Sequence, residues 1–133
     1  MGDTVEGGCF CGSLRYRAGG ETLARALCHC RSCRRATGGA SVAWITFPED
    51  VVVFTRGEPA TYSSSPGVTW MFCRNCGTLV AYRRESRPGE IDLTTASLDE
   101  PDGFAPEVEI WTRDKLSWVR LDADLPHRLA LSE

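Results

Sequence analysis

The stretch Cys73-Arg74-Asn75-Cys76-Gly77 places two cysteines at a spacing typical of a metal-binding knuckle and follows them at once with a glycine. A glycine adopts a positive φ easily, and this lets backbone N–H groups turn toward the sulfurs. The next residues, Thr78 to Tyr82, are typical of a β-strand. The stretch therefore predicts a metal-binding turn that leads into a strand. The dithiol of a thioredoxin-like protein, the alternative for this spacing, is followed by a helix.

Two further cysteine groups lie earlier in the chain, Cys9-Phe10-Cys11-Gly12 and Cys28-His29-Cys30-Arg31-Ser32-Cys33, and the three groups hold all seven cysteines. Side chains at positions i and i+2 of an extended chain point the same way, so the first pair can present both sulfurs to one ion. Two such pairs complete a closed tetrahedral zinc site, which is the structural type. The spacing alone does not establish that these two pairs meet.

The middle group supplies three cysteines within six residues. Three protein ligands with one open position are typical of a catalytic zinc. His29 lies between two of these cysteines and should face away from an ion they share, so we expect it to hydrogen-bond to backbone; ligation by His29 is the alternative. A second closed, structural site is a further alternative, with its fourth ligand supplied by His127 or by a carboxylate such as Asp92.

The composition limits the function classes. The 133 residues include 42% hydrophobic and 25% charged side chains and carry a net charge of −3, which is typical of a globular domain and argues against a general nucleic-acid or membrane-surface binder. A disulfide framework is opposed by the odd cysteine count and by the lack of a secretory leader. We therefore expect a single domain over 1–133, with its core at about 7–126, in the reducing cytoplasm.

Short apolar segments separated by Gly/Pro-rich turns predict a mainly β, antiparallel domain. One short helix is expected within Ser32–Thr37, ended by Gly38 and Gly39. The stretch from Pro126 to Glu133 is expected to be loosely held. The expected strands are Ser13–Arg17, Ala40–Phe47, Val51–Phe54, Thr78–Tyr82, Glu90–Thr95, Val108–Trp111 and Leu116–Leu121.

The order and spacing of these motifs resemble the glutathione-dependent formaldehyde-activating enzyme family, which also includes centromere protein V. The resemblance rests on residues 8–16, 28–38, 72–79 and 92–98 and extends from about Gly7 to about Pro126. It implies a tent-like β fold with two zinc ions. The structural zinc would be held by Cys9, Cys11, Cys73 and Cys76, called here the four-cysteine cluster. The second, catalytic zinc would be held by Cys28, Cys30 and Cys33, the three-cysteine cluster.

The resemblance also implies an activity, the joining of glutathione to formaldehyde to give S-hydroxymethylglutathione, a carbon–sulfur lyase reaction in reverse. Two positions depart from the family's usual pattern. Trp70 stands where an arginine is frequent, and Glu109 stands where a histidine is common. If these side chains shape the substrate pocket, the thiol differs from glutathione.

A zinc held by three thiolates suits an incoming thiol, because coordination lowers the pKa of that thiol and the thiolate can then add to an aldehyde. Arg31, Arg34 and Arg35 flank the cluster and are candidates to receive the carboxylates of a peptide-like thiol; a solvated basic face is the alternative. Trp44 and Trp70 either wall the cleft or belong to the core.

Two other function classes stay open at this stage. The first is a non-catalytic zinc module that carries a small thiol or binds a macromolecule. The second is nucleic-acid binding through the basic run from Arg31 to Arg35, although no aromatic residues are interleaved with it.

Overall fold

The computed structural model describes residues 3–131, which form ten strands, one α-helix and four short 3₁₀ helices. The prediction of a mainly β fold with one short helix is confirmed. The helix, α1, spans Arg31–Thr37 and ends at Gly38, whose φ of 77° closes it as expected. The 3₁₀ helices cover Glu49–Val51, Thr95–Ser97, Pro101–Phe104 and Thr112–Asp114. The strands are β1 (Val5–Gly8), β2 (Arg15–Ala18), β3 (Ala24–Cys28), β4 (Val42–Pro48), β5 (Val52–Arg56), β6 (Ala60–Ser65), β7 (Val68–Phe72), β8 (Leu79–Arg84), β9 (Glu90–Thr94) and β10 (Val108–Ile110).

The strands form two sheets. The smaller sheet has the order β1-β2-β5, and the larger has the order β10-β3-β4-β9-β8-β7-β6. Every named strand pair is antiparallel except β10 with β3, which run parallel with Ile110 opposite Cys28. This one parallel pair places a late segment of the chain beside the strand that ends in the three-cysteine cluster.

Two clusters of buried side chains form the core. The first draws on both sheets and includes Tyr16, Ile45, Phe47 and Leu93, each no more than 1% exposed. The second contains Cys28 and Cys33 together with Val42, Trp44, Trp70 and Ile110. Burying one large apolar side chain contributes about 1.5–3 kcal/mol, so the second cluster stabilises the fold around the cysteines themselves.

The predicted strand Leu116–Leu121 is wrong. These residues form a turn in which the N–H of Val119 donates to the carbonyl of Leu116 at 3.0 Å, and Trp118 is 72% exposed. Residues 116–121 alternate between apolar and polar side chains, but within residues 3–131 they pair with no sheet edge. The edge of β10 that does not face β3 is occupied by a later segment, through an isolated bridge between Glu109 and His127.

That later segment also corrects the expectation of a loose stretch from Pro126 onward. Its backbone pairs with β10 and with the residues just after it. The N–H of Glu109 donates to Pro126 at 3.0 Å, and the N–H of Arg128 donates back to Glu109 at 2.8 Å. The last two residues of the prediction, 132 and 133, lie outside the described residues. None of the helices within residues 3–131 is both long enough and apolar enough to span a membrane.

Candidate metal centres

The four-cysteine cluster forms where two hairpin turns meet. Cys9 and Cys11 lie between β1 and β2, Cys73 and Cys76 lie between β7 and β8, and their sulfurs all fall within 4.8 Å of one another. The sulfurs of Cys9 and Cys11 are 3.6 Å apart, and those of Cys11 and Cys73 are 3.8 Å apart. A zinc–sulfur bond of about 2.3 Å places the sulfurs of a tetrahedral site about 3.8 Å apart. The donor set therefore fits a tetrahedral ion.

Disulfides do not explain this proximity. A disulfide needs sulfurs about 2.05 Å apart, and all seven cysteines are free. The thioredoxin-like alternative is also wrong, since Cys76 is followed by β8 and not by a helix.

The two turns of the four-cysteine cluster share one backbone design. Gly12 has a φ of 84° and Gly77 a φ of 82°, as the spacing of glycine after cysteine predicts. Their N–H groups close the turns on the carbonyls of Cys9, at 3.2 Å, and Cys73, at 2.8 Å. Backbone N–H groups also donate to sulfur, from Leu14 to Cys9 at 3.3 Å and from Cys76 to Cys73 at 3.4 Å. These donors stabilise the anionic thiolates that a metal requires.

Hydroxyl side chains complete the surroundings of this cluster. The Thr78 hydroxyl accepts from the N–H of Phe10 at 3.1 Å and lies 3.2 Å from the Cys76 sulfur, to which it can donate its own hydrogen. This hydrogen bond lowers the pKa of Cys76 to about 5. The Ser13 hydroxyl acts likewise on Cys11, at 3.0 Å, and lowers the pKa of that thiol to about 7.

These two hydroxyls are not among the predicted site residues, although the sequence carries a signal for them. Cys11-Gly12-Ser13 and Cys76-Gly77-Thr78 are the same tripeptide pattern, a cysteine followed by glycine and then a hydroxyl residue.

The three-cysteine cluster forms where β3 passes into α1. Cys28 ends β3, Cys30 caps the helix with its sulfur accepting from the N–H of Cys33 at 3.2 Å, and Cys33 lies in the first turn. The three sulfurs lie within 4.8 Å of one another, with 3.5 Å between those of Cys28 and Cys33. Cys28 and Cys33 are buried and Cys30 is half-buried. This donor set also fits a metal ion, with Cys30 as its most accessible member.

Crowding of the thiols shifts their ionisation. Interaction with the neighbouring Cys28 and Cys33 thiols lowers the pKa of Cys30 to about 3. The proximity of Cys30 and Cys33, together with burial, raises the pKa of Cys28. The cluster therefore presents anionic sulfur at its accessible side, which favours a cation there.

Trp44 supplies a hydrogen-bond donor to the cluster that is not evident from the sequence. Its indole Nε1 donates to the Cys33 sulfur at 3.4 Å. Trp44 and Trp70 are 6% and 7% exposed, and the Trp70 ring packs edge-on against Tyr82 with 4.7 Å between centroids. Both tryptophans thus belong to the core beside the cluster, which agrees with the second of the two alternatives.

His29 does not contribute to the three-cysteine cluster. Its Nε2 lies 2.6 Å from a carboxylate oxygen of Glu109, and both side chains are buried. The expectation that His29 faces away from the ion agrees with this geometry, but its side-chain partner is a carboxylate and not the backbone.

The two other candidate ligands also lie elsewhere. Nε2 of His127 is 2.7 Å from the carbonyl of Asp122. The carboxylate of Asp92 accepts from Thr46 and from Arg87, each at 2.6 Å. Among the residues that the structure describes, the groups able to hold a metal are the two cysteine clusters. The three-cysteine cluster therefore has three protein ligands within this range.

The three candidate arginines, Arg31, Arg34 and Arg35, all lie in α1. Arg31 and Arg35 are exposed and Arg34 is half-buried, and none of the three pairs with a carboxylate within residues 3–131. Arg34 and Arg35 line a groove of about 440 Å³ together with Leu116 and Trp118. The buried Nε of Arg34 has no hydrogen-bond partner there.

The fold and the two clusters define a class, a mainly β protein with one four-sulfur and one three-sulfur group that could each bind a metal. Residues 4–114 match the family described as glutathione-dependent formaldehyde-activating enzyme. The chain belongs to this family, which confirms the resemblance drawn from its motifs.

Two further comparisons agree. A relative from Schizosaccharomyces pombe, described as an uncharacterized lyase, is 29% identical over 85 residues, which are 62% of this chain and 61% of the relative. The chain thus spans about three fifths of that relative. A crystal structure of a Rhodobacter sphaeroides protein has a TM-score of 0.60 at 22% identity, with 92% of this chain and 98% of the other covered. At this identity the likeness establishes the shared fold.

Proposed function

We propose that the chain is a zinc-dependent carbon–sulfur lyase-like enzyme, comparable to an S-(hydroxymethyl)glutathione synthase. It would join a thiol, glutathione or a similar one, to formaldehyde or another small aldehyde. A bond forms between the thiol sulfur and the carbonyl carbon, and the carbonyl oxygen takes up the proton that the thiol loses. The observation that carries this proposal is the contrast between the two clusters, four sulfurs in one and three around a partly accessible Cys30 in the other.

The residues around the three-cysteine cluster would prepare it for this chemistry. A zinc ion held there would lower the pKa of an incoming thiol and so supply the thiolate nucleophile at neutral pH. The indole of Trp44 orients Cys33, and the N–H of Cys33 orients Cys30. The apolar side chains packed around Cys28 and Cys33 exclude water from the inner side of the site. Cys28, Cys30 and Cys33 are thus the proposed catalytic metal ligands.

The arginines would receive the carboxylates of the thiol substrate. Arg34 and Arg35 line one groove, Arg31 begins the same helix, and none of them is neutralised by a carboxylate within residues 3–131. Guanidinium groups bind carboxylates through paired hydrogen bonds. A charged, peptide-like thiol such as glutathione fits this surface better than an uncharged one.

The four-cysteine cluster would hold a structural zinc that joins the β1–β2 turn to the β7–β8 turn. A closed set of four thiolates leaves no position for a substrate. Seven free thiols also favour a reducing compartment, and we place the protein in the cytoplasm on this ground.

A panel of thiols with formaldehyde tests the activity. Adducts form without an enzyme, so exchange NMR would measure how fast the protein interconverts free thiol and adduct. We expect acceleration for glutathione, loss of acceleration in Cys30→Ser, and a raised KM for the thiol in Arg34→Ala and Arg35→Ala. Thiol binding without acceleration for any member of the panel would contradict the enzyme and favour the alternative, a zinc module that carries a thiol.

A further inference from the structure

A buried pair that the proposed chemistry does not use fixes the loop of the three-cysteine cluster. His29 is 0% exposed and lies between Cys28 and Cys30 in sequence. Its ring Nε2 donates to a carboxylate oxygen of Glu109 at 2.6 Å, and Glu109 is 1% exposed. The backbone N–H of His29 donates to the carbonyl of Ile110 at 3.1 Å. The loop that carries two of the three sulfurs is therefore held to β10 at both the ring and the backbone of one residue.

Glu109 is in turn held by a later part of the chain, residues 122–131, which we call the closing segment. The second carboxylate oxygen of Glu109 accepts from the N–H of Asp122. Its backbone exchanges two hydrogen bonds with Pro126 and Arg128, as described for the fold. The side chain of Glu109 thus connects the loop of the three-cysteine cluster to the closing segment, which contributes no metal ligand.

Trp111, the residue after β10, also contacts both the closing segment and the core around the three-cysteine cluster. Trp111 has a φ of 57°, and it is the only residue other than glycine with a positive φ in the part of the chain that the structure describes. Its N–H donates to Ala130 in the closing segment at 3.2 Å, and its side chain packs against the apolar cluster that contains Cys28 and Cys33. Such a backbone conformation persists where surrounding contacts over-determine it.

We propose that Glu109 is a positioning residue for the three-cysteine cluster, and that through it the closing segment sets the metal affinity of that cluster. The carboxylate fixes the ring of His29, and the fixed ring orients the backbone on which the sulfurs of Cys28 and Cys30 are mounted. A loop released from Glu109 has to be ordered again when it binds an ion, so its affinity falls. This inference rests on the proposed function, since it requires that the cluster bind a metal.

The first test compares Glu109→Gln with Tyr16→Phe. Glutamine keeps the size of the side chain but has only one acceptor oxygen. With that oxygen on Asp122, His29 can accept from the glutamine amide only by moving its ring proton to Nδ1, which is buried without a hydrogen-bond partner; with the oxygen on His29, the N–H of Asp122 loses its acceptor. Tyr16→Phe removes a part-buried hydrogen bond of the same length, 2.6 Å to Ser97, in the other core cluster, and is the matched control. Competition of a chelator with the cobalt-loaded proteins would measure the affinity of each site separately.

We expect the affinity of the three-cysteine cluster to fall about tenfold in Glu109→Gln, as for other residues that orient metal ligands from outside the coordination sphere. The four-cysteine cluster should keep its affinity in both variants, and Tyr16→Phe should leave both sites unchanged. Equal affinities in wild type and Glu109→Gln would overturn the inference. A wild-type protein that binds a single metal ion would instead overturn the proposed function.

The second test needs no change at Glu109 and therefore stands even if that variant does not fold. Coupling between two parts of a protein is reciprocal, so a metal in the three-cysteine cluster should protect the closing segment. Hydrogen exchange would be compared between the wild type with both sites loaded and Cys30→Ser with the four-cysteine cluster loaded. We expect the amides of Glu109, Trp111 and Arg128 to exchange at least about tenfold faster in Cys30→Ser, and the amides of β1 and β2 to be unchanged. Equal exchange at Glu109, Trp111 and Arg128 would refute the coupling.

Discussion

Replacing Cys73 and Cys76 together by serine should destabilise the whole protein, because the four-cysteine cluster closes a long loop of chain and this double variant keeps none of the ligands on the β7–β8 turn. Cys11 and Cys73, whose sulfurs lie 3.8 Å apart, are separated by 62 positions. Treating the metal as a covalent link, the entropy of closing a loop of that length corresponds to about 4 kcal/mol at 25 °C. The total stability of a domain is about 5–15 kcal/mol, so the lost link is a large part of it.

Urea denaturation, followed by circular dichroism, would measure this effect in the wild type, in the double variant Cys73→Ser/Cys76→Ser and in Cys30→Ser. We expect the free energy of unfolding to fall by about 4 kcal/mol in the double variant and by about 2 kcal/mol in Cys30→Ser, because Cys28 and Cys33 are only 5 positions apart. A strong chelator should destabilise the wild type by at least about 4 kcal/mol and the double variant by no more than about 2 kcal/mol. A double variant as stable as the wild type would refute the reasoning that the four-cysteine cluster links distant parts of the fold.

Further outcomes follow from the same geometry. Elemental analysis should find two zinc ions per wild-type chain and one in Cys30→Ser with an unchanged circular dichroism spectrum; one ion in the wild type would contradict the two-site assignment. Trp44→Phe removes the hydrogen bond to Cys33 and leaves part of the indole volume unfilled, so we expect a loss of about 2 kcal/mol in unfolding and faster metal release to a chelator. The hydrogen bond from Arg15 lowers the pKa of Asp99, so this pair contributes stability above the unfolded pKa of about 3.9 and loses it as the pH falls through the lower, folded value. Because Asp99 is 48% exposed, Asp99→Asn should cost less than about 1 kcal/mol at pH 7 and nothing at pH 2, as measured by thermal melts.

The sequence pattern predicted those strands whose own residues favour the β conformation. β4, β5, β8, β9 and β10 lie within one or two residues of their expected bounds. These segments contain β-branched or aromatic residues, which favour the β conformation. The cysteine groups were also predictable, since the ligands of a metal knuckle are close in sequence and a glycine follows them.

The missed strands have sequences shaped by neighbours distant in the chain. β1 contains Gly7 and Gly8, which weaken any strand prediction. A Cβ at Gly7 would lie 2.5 Å from the Tyr16 hydroxyl, so glycine is required there by packing against β2 and not by a turn. β6, Ala60–Ser65, is an exposed, serine-rich edge strand with little apolar patterning. Residues 116–121 are the opposite case, because they have the sequence pattern of a strand but, among the described residues, no neighbouring strand to pair with.

The contact between His29 and Glu109 beside the three-cysteine cluster could not be predicted from the sequence. His29 and Glu109 are separated by 80 positions, and neither is part of a repeated spacing that would indicate their contact. Glu109 alternates with apolar neighbours in β10, so its pattern indicates a solvent-facing carboxylate, whereas the closing segment covers that face and buries it.

The parallel pairing of β10 with β3 has a consequence for how the protein is made on the ribosome. The ligands of the four-cysteine cluster are all present once Cys76 has been synthesised, and its two hairpin turns can then close around an ion. The three-cysteine cluster, although it precedes half of those ligands in the sequence, gains its support only after Glu109 and the segment that pairs with it have been translated. A nascent chain would thus complete the four-cysteine cluster first and the three-cysteine cluster, the proposed reactive site, last.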